Sequence, residues 1–420
     1  MPIHSPESVD AGLPRQPAMT ARAFGAAVAC AVCMSLGLAP LFIGTLPVFL
    51  PHVSAELGWG AAIYPQAALI AGVSGAVVGP FAGRLLDQYG VRRLMIVGLI
   101  IWSASLVAMS FLAGSRAQMI AFSIVMGIAA SACGPIPFAK VVAGWFDRHR
   151  GFTMAVVISA APAIMTAVFV LAADWLIGLY GWRNTYRIFA ALVVCVAVPV
   201  ATLFMWEAPP EMGALGAPAP VAVGLDARQA LRNGSFWLLM LLAALICGVV
   251  NALVVHFLGW CAELGINVRS ATLALSAYSL AGPLGPMLSG AVADRVKTPK
   301  ALAVFYCLPF TGFLLLITFG RIVVLPAMVL LGLGFSATTG LLPYLLTRYL
   351  GVRYASQIFG VGLGVITLAM GTGPVILGMV RDAHHSFLPA SPVMLALMAV
   401  PVGLALLLRP YRYGGANAQK

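Results

Sequence analysis

Charged residues are scarce in this chain. Lysine, arginine, aspartate and glutamate make up only 9% of its 420 residues, whereas they make up about 25% of an ordinary soluble domain. So few charges exclude a protein whose main solvent is water. Hydrophobic residues make up 61%, and the mean hydropathy is +1.00. The composition therefore indicates a membrane protein.

The chain also lacks the motifs of common enzyme classes. It contains no HExxH motif, no GxSxG nucleophile elbow and no phosphate-binding glycine loop. Its apolar segments hold no convergent set of nucleophile, base and metal ligands. We therefore expect no enzymatic activity, no cofactor and no metal site.

All seven cysteines fall within apolar segments, where a free thiol packs as a small hydrophobic group. Cys30 and Cys33 have the CxxC spacing of redox motifs, but no second ligand pair accompanies them. We interpret them as packing residues and expect no disulfide.

Long apolar runs dominate the chain. A helix needs about 20 mostly apolar residues to cross a bilayer, and the sequence contains twelve such runs, six on each side of a polar middle. Backbone groups in hydrocarbon must be paired, so each run is expected to be a helix. The runs cover 24–50, 61–83, 94–114, 118–144, 152–178, 186–206, 236–262, 271–293, 301–320, 323–349, 356–380 and 388–409.

Polar segments divide the chain into five parts. The N-terminal tail covers 1–23, and the C-terminal tail covers 410–420. Six predicted helices lie in 24–206 and six in 236–409, and a proline-rich, charged linker covers 207–235. The first run is too long and continuous for a signal peptide, so we expect it to be retained. The fold class is therefore an all-α polytopic membrane protein.

The basic residues predict the orientation of the chain. If both termini are cytoplasmic, the inner segments hold 18 of the 24 lysines and arginines. Positive charge in short loops favours the cytoplasmic side, so both termini are predicted there. This bias and anionic lipid account for the net charge of +12, and no nucleic-acid partner is expected. The outer loops hold Arg116, Arg183, Arg187, Arg269, Arg321 and Arg381.

A short motif occurs twice, once near the end of the second run and once near the end of the eighth. The first copy is Gly83-Arg84-Leu85-Leu86-Asp87, followed by Gly90, Arg92 and Arg93, and the second is Gly290-Ala291-Val292-Ala293-Asp294-Arg295. Its recurrence at equivalent places in both halves indicates a duplicated membrane protein.

The first copy resembles the signature between the second and third helices of the major facilitator superfamily, and the second resembles its echo between helices eight and nine. With the twelve runs and the linker, the resemblance covers essentially the whole chain. It implies two pseudo-symmetric six-helix bundles, a central cavity and alternating access by rocking of the halves. The chain departs from the family pattern at Gln88, where a basic residue is usual, and at Lys297, where a glycine is usual.

The repeated spacing favours a conformational gate at the two loops. The carboxylate of Asp87 has neighbouring arginines as ion-pair partners, or it would meet the N-terminus of the eleventh helix in one state and leave it in the other. The alternative is a solvated turn with a surface ion pair worth about 0 to 1 kcal/mol. The candidate gate residues are Gly83, Arg84, Asp87, Gly90, Arg92, Arg93, Gly290, Asp294 and Arg295.

Three further stretches resemble bacterial relatives of the monocarboxylate transporter and oxalate/formate antiporter group. They are Trp145-Phe146-Asp147-Arg148-His149-Arg150-Gly151, Gly181-Trp182-Arg183, and the segment from Asn251 to Phe257. The third stretch contains His256, a titratable group inside a predicted span.

Polar side chains within the runs are few, and each is a functional candidate because lipid disfavours it. The imidazole of His256, with an ordinary pKa of about 6.5, would carry a proton or act as a neutral packing group. Lys140 would meet an anion or extend to the interface. Asp174 and Glu263 lie near outer ends, as interface or proton-carrying groups. The candidates for substrate binding and proton coupling are His256, Asn251, Lys140, Tyr278 and Asp174.

These observations lead us to expect a monomeric, proton-coupled importer of a small organic acid in the bacterial inner membrane. The eighth run has no interior cation where many monocarboxylate carriers place an arginine, so a carboxylate would need other partners. Two alternatives stay open. One is an exporter or exchanger of aromatic or amphipathic compounds, and the other is a membrane sensor with the same fold that does not transport.

Overall fold

The computed structural model describes residues 21–146, 150–206, 227–295, 303–351, 355–406 and 408. Almost all of the two predicted tails and most of the predicted linker lie outside these residues. The end of the linker is described, and it contains a short helix at Ala227–Leu231.

The described residues of the first half form six helical spans, one for each predicted run. Their bounds are α1, Ala21–Ser35 continued by a π-helical turn at Ala39–Ile43 and by Leu46–Leu57; α2, Pro65–Tyr89; α3, Val91–Met109; α4, Arg116–Ala132 and Pro135–Trp145; α5, Arg150–Ala155, the π-helical turn Val156–Ala160 and the part of Ala161–Leu192 before Gly181; and α6, the rest of that segment, the π-helical turn Val193–Ala197 and Val198–Phe204.

The second half repeats this arrangement with six more spans among the described residues. Their bounds are α7, Gly234–Val255 and Phe257–Glu263; α8, Val268–Ala281 and Leu284–Arg295; α9, Ala303–Phe319; α10, Val324–Leu350; α11, Ala355–His384; and α12, Ser391–Leu406. The architecture is an all-α membrane fold of two six-helix bundles, as expected from the sequence.

Not every span is one unbroken helix. Within the described residues, eight helices are long and apolar enough to cross a membrane, and the apolar helices Pro65–Gly79 and Arg116–Ala132 are shorter. In α4 the backbone leaves helical geometry at Cys133 and Gly134, and Pro135 then starts a new segment, where a missing N–H costs nothing. α5 and α6 meet at Gly181, whose φ of 76° favours glycine.

Small residues let the helices of the second half approach closely. α7 packs along α11, and a Cβ at Gly373 would lie 2.3 Å from the carbonyl oxygen of Gly248. Close approach at glycine is a usual means of packing membrane helices, because no hydrophobic effect drives association in lipid. Gly373 and Pro374 thus lie within one helix at a point of tight packing.

The two bundles contact each other mainly through α2 with α11 and through α5 with α8. Asp382 bonds to residues of the α1–α2 connection, and Ser276 Oγ of α8 donates to the carbonyl of Ala167 in α5 at 3.1 Å. These described contacts lie between the middle of the bundles and the end that carries Glu56 and Asp382. We call that end the closed end.

The opposite end carries the two copies of the repeated motif, and we call it the open end. Large apolar side chains are exposed there on both bundles, including Val77 and Phe81 of α2 and Leu363 of α11. No described hydrogen bond joins the bundles at this end.

Candidate functional site

A cavity of about 740 Å³ lies between the two bundles at the closed end. The end of α1, the α1–α2 connection and the starts of α2 and α4 form one side. The middle of α7, the end of α11 and the connection to α12 form the other. Apolar side chains make up most of its wall. The polar and charged residues that line it are Ser54, Gln66, Arg116, His256, Arg381, Asp382 and His385.

His256 lies where the two segments of α7 meet and is only 2% exposed. Its Nε2 lies 2.8 Å from the carbonyl oxygen of Pro374 in α11. Because a carbonyl only accepts, Nε2 carries the hydrogen, and Nδ1 of the neutral ring is then an acceptor. Nδ1 is buried and has no hydrogen-bond partner among the described residues. His256 is therefore a buried ring with one nitrogen hydrogen-bonded and the other without a described partner.

Asn251 makes a similar contact further along α7. Its Nδ2 donates to the carbonyl oxygen of Met370 at 2.6 Å. Met370 precedes Pro374 by one helical turn, and Pro374 has no N–H with which to bond that carbonyl. Asn251 thus satisfies an acceptor that the proline leaves open. This contact is a structural role, and the predicted role of Asn251 in substrate binding stays a prediction.

Glu263 fixes the wall of the cavity behind His256. One carboxylate oxygen lies 3.0 Å from Arg381 Nε, and the other accepts from Ser386 Oγ at 2.7 Å and from the backbone N–H of Phe387 at 2.8 Å. The ring centroid of Phe387 in turn lies 5.1 Å from that of His256. The end of α7 is thereby tied to the α11–α12 connection.

Asp382 joins the two bundles beside the cavity. Its carboxylate accepts from the backbone N–H of Ala61 at 2.7 Å and of Ala62 at 3.2 Å. The approach is close enough that a Cβ at Gly60 would lie 2.5 Å from Asp382 Oδ2, and a Cβ at Gly378 would lie 2.5 Å from Ala62 Cα. We call the contact of Asp382 with residues 60–62 the closed-end latch.

The other predicted substrate and proton residues do not line this cavity. Lys140 is exposed on the second segment of α4, near its end. Tyr278 of α8 is half-buried against Phe335 of α10, with ring centroids 6.1 Å apart. Asp174 of α5 is half-buried. The five candidates therefore do not form one site in this conformation.

The predicted gate residues lie at the open end. Gly90 joins α2 to α3 with a φ of 81°, which explains a glycine there. The guanidinium of Arg92 donates to the carbonyl of Thr202 near the end of α6 and lies 5.1 Å from the Trp206 ring. Arg84 lies 5.9 Å from the ring of Phe81.

The other predicted gate residues have fewer described contacts. A Cβ at Gly83 or Gly290 would meet no described atom within 4 Å, so close packing does not explain either glycine. Arg93 lies in the first turn of α3, and Arg295 is the last residue of α8. The side chains of Asp87 and Asp294 lie outside the described part of the structure, so their roles stay predictions.

The sequence reasoning missed the latch and Ser54. The available signal for Asp382 was that it is one of only 12 acidic residues in the chain, immediately after the eleventh run. Ser54 lies in α1, and its hydroxyl is buried with no hydrogen-bond partner among the described residues. A serine among apolar residues gives no such signal, because most membrane serines bond back to their own helix.

Comparison with known proteins gives a family match over most of the chain. The model of the Major Facilitator Superfamily matches residues 32–374. The uncharacterized MFS-type transporter YcxA of Bacillus subtilis is 24% identical over 139 residues, which cover 33% of this chain and 33% of that protein. Monocarboxylate transporter 1 of Bos taurus is 26% identical over 184 residues, which cover 41% of this chain and 35% of that protein. The chain thus spans about a third of the length of these curated relatives.

Two solved structures share the fold across nearly the whole chain. A mutant of the nucleoside transporter NupG superposes with a TM-score of 0.72 at 12% identity, covering 92% of this chain and 99% of that one. A bacterial homolog of the human lysosomal transporter Spinster superposes with a TM-score of 0.66 at 16% identity, covering 91% and 92%.

Proposed function

Because the chain belongs to the Major Facilitator Superfamily, we propose that it is a secondary carrier that takes up a small organic acid together with a proton. The observation that carries the proposal is His256, a buried titratable residue that lines a cavity between the two bundles and has one ring nitrogen without a described partner. A buried ionisable group in a membrane protein is costly and is most often retained for function. An imidazole loads and releases protons near neutral pH.

The one-sided contact between the bundles supports alternating access. The latch and the α2–α11 contact close one end, while apolar side chains on α2 and α11 are exposed at the other. With both termini cytoplasmic, as the basic residues predict, the closed end faces outwards. The described conformation is then open to the cytoplasm, and uptake requires the latch to part in the opposite state.

The proposal of an acidic substrate has two supports. Lys140 is an exposed cation on the broken helix α4, towards the open end, where it would meet a carboxylate after the substrate leaves the closed end. Monocarboxylate transporter 1 is among the curated relatives. In this scheme Tyr278 and Asp174 are secondary candidates on α8 and α5, which form one of the two main contacts between the bundles.

The repeated loops would form the gate at the cytoplasmic end. Gly90 and Arg92 already fix the α2–α3 turn against α6, which leaves Asp87 positioned at the end of α2. In the outward-open state, Asp87 would pair across the closed cytoplasmic end. Asp294 is the equivalent residue on α8.

The direct test is counterflow in liposomes. Purified protein is reconstituted with a high internal concentration of one unlabelled acid, and entry of the labelled acid is followed for acetate, lactate, benzoate and oxalate. We expect at least one monocarboxylate to show transient accumulation above protein-free liposomes. Absence of counterflow for every acid would contradict the choice of substrate.

A second candidate function is the exchange or export of aromatic compounds. The observation that favours it is the apolar wall of the closed-end cavity, which includes Trp59, Ile63 and Phe387. Counterflow of an uncharged aromatic compound, with none for the acids, would favour this alternative.

A further inference from the structure

Two residues that line this cavity each have one buried polar atom without a described partner. The atoms are Nδ1 of His256 on α7 and the hydroxyl oxygen of Ser54 on α1. α7 and α1 belong to different bundles and pack together, so the two residues line the cavity from opposite bundles. Buried polar atoms are nearly always hydrogen-bonded, which makes a matched pair without partners a sign of a ligand or of water.

Ser54 differs from other serines of the same bundle. Ser74 and Ser105 donate to the carbonyl one turn earlier in their own helices, at 2.8 Å and 2.7 Å. Ser54 makes no such bond among the described residues, although the residue lines the cavity. A hydroxyl both donates and accepts, whereas Nδ1 of neutral His256 only accepts.

We propose that the closed-end cavity is a binding site for a small carboxylic acid in its protonated form. The acid O–H donates to Nδ1 of His256, and the acid carbonyl accepts from the hydroxyl of Ser54. A carboxylic acid offers one donor and one acceptor on adjacent atoms, which is the combination that these two side chains need. The apolar part of the ligand lies against Trp59, Ile63 and Phe387. The choice of ligand rests on the proposed function.

This arrangement lets substrate and proton enter as one unit. When the acid proton moves from oxygen to Nδ1, the products are a carboxylate and an imidazolium, and no other bond changes. The imidazolium still donates from Nε2 to the carbonyl of Pro374. The other charged and titratable groups on the cavity are Arg381 and Asp382 from α11, His385 after it and Arg116 from α4. Arg381 is paired with Glu263, and Asp382 is held by the latch.

The test is equilibrium binding of radiolabelled benzoate to purified protein in nanodiscs at pH 5.5 and pH 7.5. Wild type should bind more tightly at pH 5.5, because the ligand binds with its proton.

Ser54→Ala should weaken binding about five- to tenfold, the effect of one lost hydrogen bond. The matched control is Ser105→Ala, which removes a hydroxyl that is already bonded within α3 and should leave the affinity unchanged. His256→Gln keeps a donor for Pro374 but cannot take up the proton of the acid, so binding at pH 5.5 should weaken.

Each outcome decides the proposal. Wild-type affinity in both Ser54→Ala and His256→Gln overturns the site and means that water fills the cavity. Weaker binding in these variants but not in Ser105→Ala supports it. The proposed uptake is judged separately with the same acid in liposomes. If the protein binds the acid through Ser54 but does not take it up, the proposed function is contradicted. If Ser54→Ala changes neither uptake nor binding, only the proposed binding site is contradicted.

Discussion

At the scale of single residues, α7 directs two polar side chains at the backbone of α11. Asn251 bonds the carbonyl of Met370, which Pro374 leaves without its usual donor, and His256 bonds the carbonyl of Pro374 itself. Sequence reasoning identified both residues because polar groups are rare in the runs. It could not identify their partners, because these depend on the register of two helices that are more than a hundred residues apart.

Asn251→Ala should lower stability. The change removes the bond to Met370 and leaves a partly buried carbonyl unpaired, so we expect the free energy of unfolding to fall by about 1 to 2 kcal/mol. Chemical denaturation in detergent, followed by tryptophan fluorescence, measures the loss. Asn184→Ala is the matched control, because the Asn184 side chain is exposed and its described partners, Tyr180 and Arg187, lie within four residues of it in the chain. Equal stability of the two variants would contradict the structural role of Asn251.

At the scale of helices and their connections, the closed-end latch holds two elements from different bundles. The Asp382 carboxylate at the end of α11 accepts from two backbone N–H groups before α2, and Gly60 leaves the space for it. The sequence predicted the twelve helices well, since apolar length alone determines them. It did not predict the latch, because a backbone N–H in a connection carries no signature of its future partner.

Asp382→Ala should open the closed end more often. The change removes two charge-assisted hydrogen bonds between the bundles, so we expect a cysteine placed at Gln66 in the cavity to react about fivefold faster with a membrane-impermeant maleimide. The background protein carries Cys195→Ser, because Cys195 is exposed.

Glu56→Gln provides the control for this experiment. Glu56 also lies at the closed end, but its described partners Trp182 and Arg183 belong to its own bundle. Its loss should leave the labelling rate close to that of the parent. Equal rates in Asp382→Ala and the parent would mean that the latch does not hold the bundles together.

Gly60→Ala tests the same contact by adding atoms. The new Cβ would lie 2.5 Å from Asp382 Oδ2, so the carboxylate or the connection must move. We expect faster labelling at Gln66 here as well. Gly79→Ala is the control, because a Cβ there would meet no described atom within 4 Å. An unchanged rate in Gly60→Ala would show that the latch tolerates displacement.

At the scale of the whole molecule, the apolar runs predicted twelve helices, and the resemblance to the major facilitator superfamily implied their division into two bundles. The predicted orientation rests on the basic loops alone and determines which end takes up substrate. We expect epitope tags at either terminus to be inaccessible to antibody in intact spheroplasts, and a tag inserted after Gly114 to be accessible. Gly114 follows α3 at the closed end. The reverse pattern would place the closed end at the cytoplasm and would contradict the proposed direction of transport.

The residues predicted for substrate binding and proton coupling do not lie together in this conformation. His256 lines a cavity between the bundles, whereas Lys140, Tyr278 and Asp174 lie on other helices away from it. Whether these residues lie close together depends on how the two bundles are positioned in each conformational state. The spacing of residues along the chain does not predict that position.

Proton movement in liposomes tests the central claim most directly. Wild type and His256→Gln are reconstituted with an internal pH-sensitive dye, the acid identified by counterflow is added outside, and protein-free liposomes correct for passive entry. We expect acid-dependent internal acidification with wild type and at least a tenfold slower rate with His256→Gln, while counterflow of the labelled acid persists in the variant. Equal acidification by the two proteins would contradict proton coupling through His256.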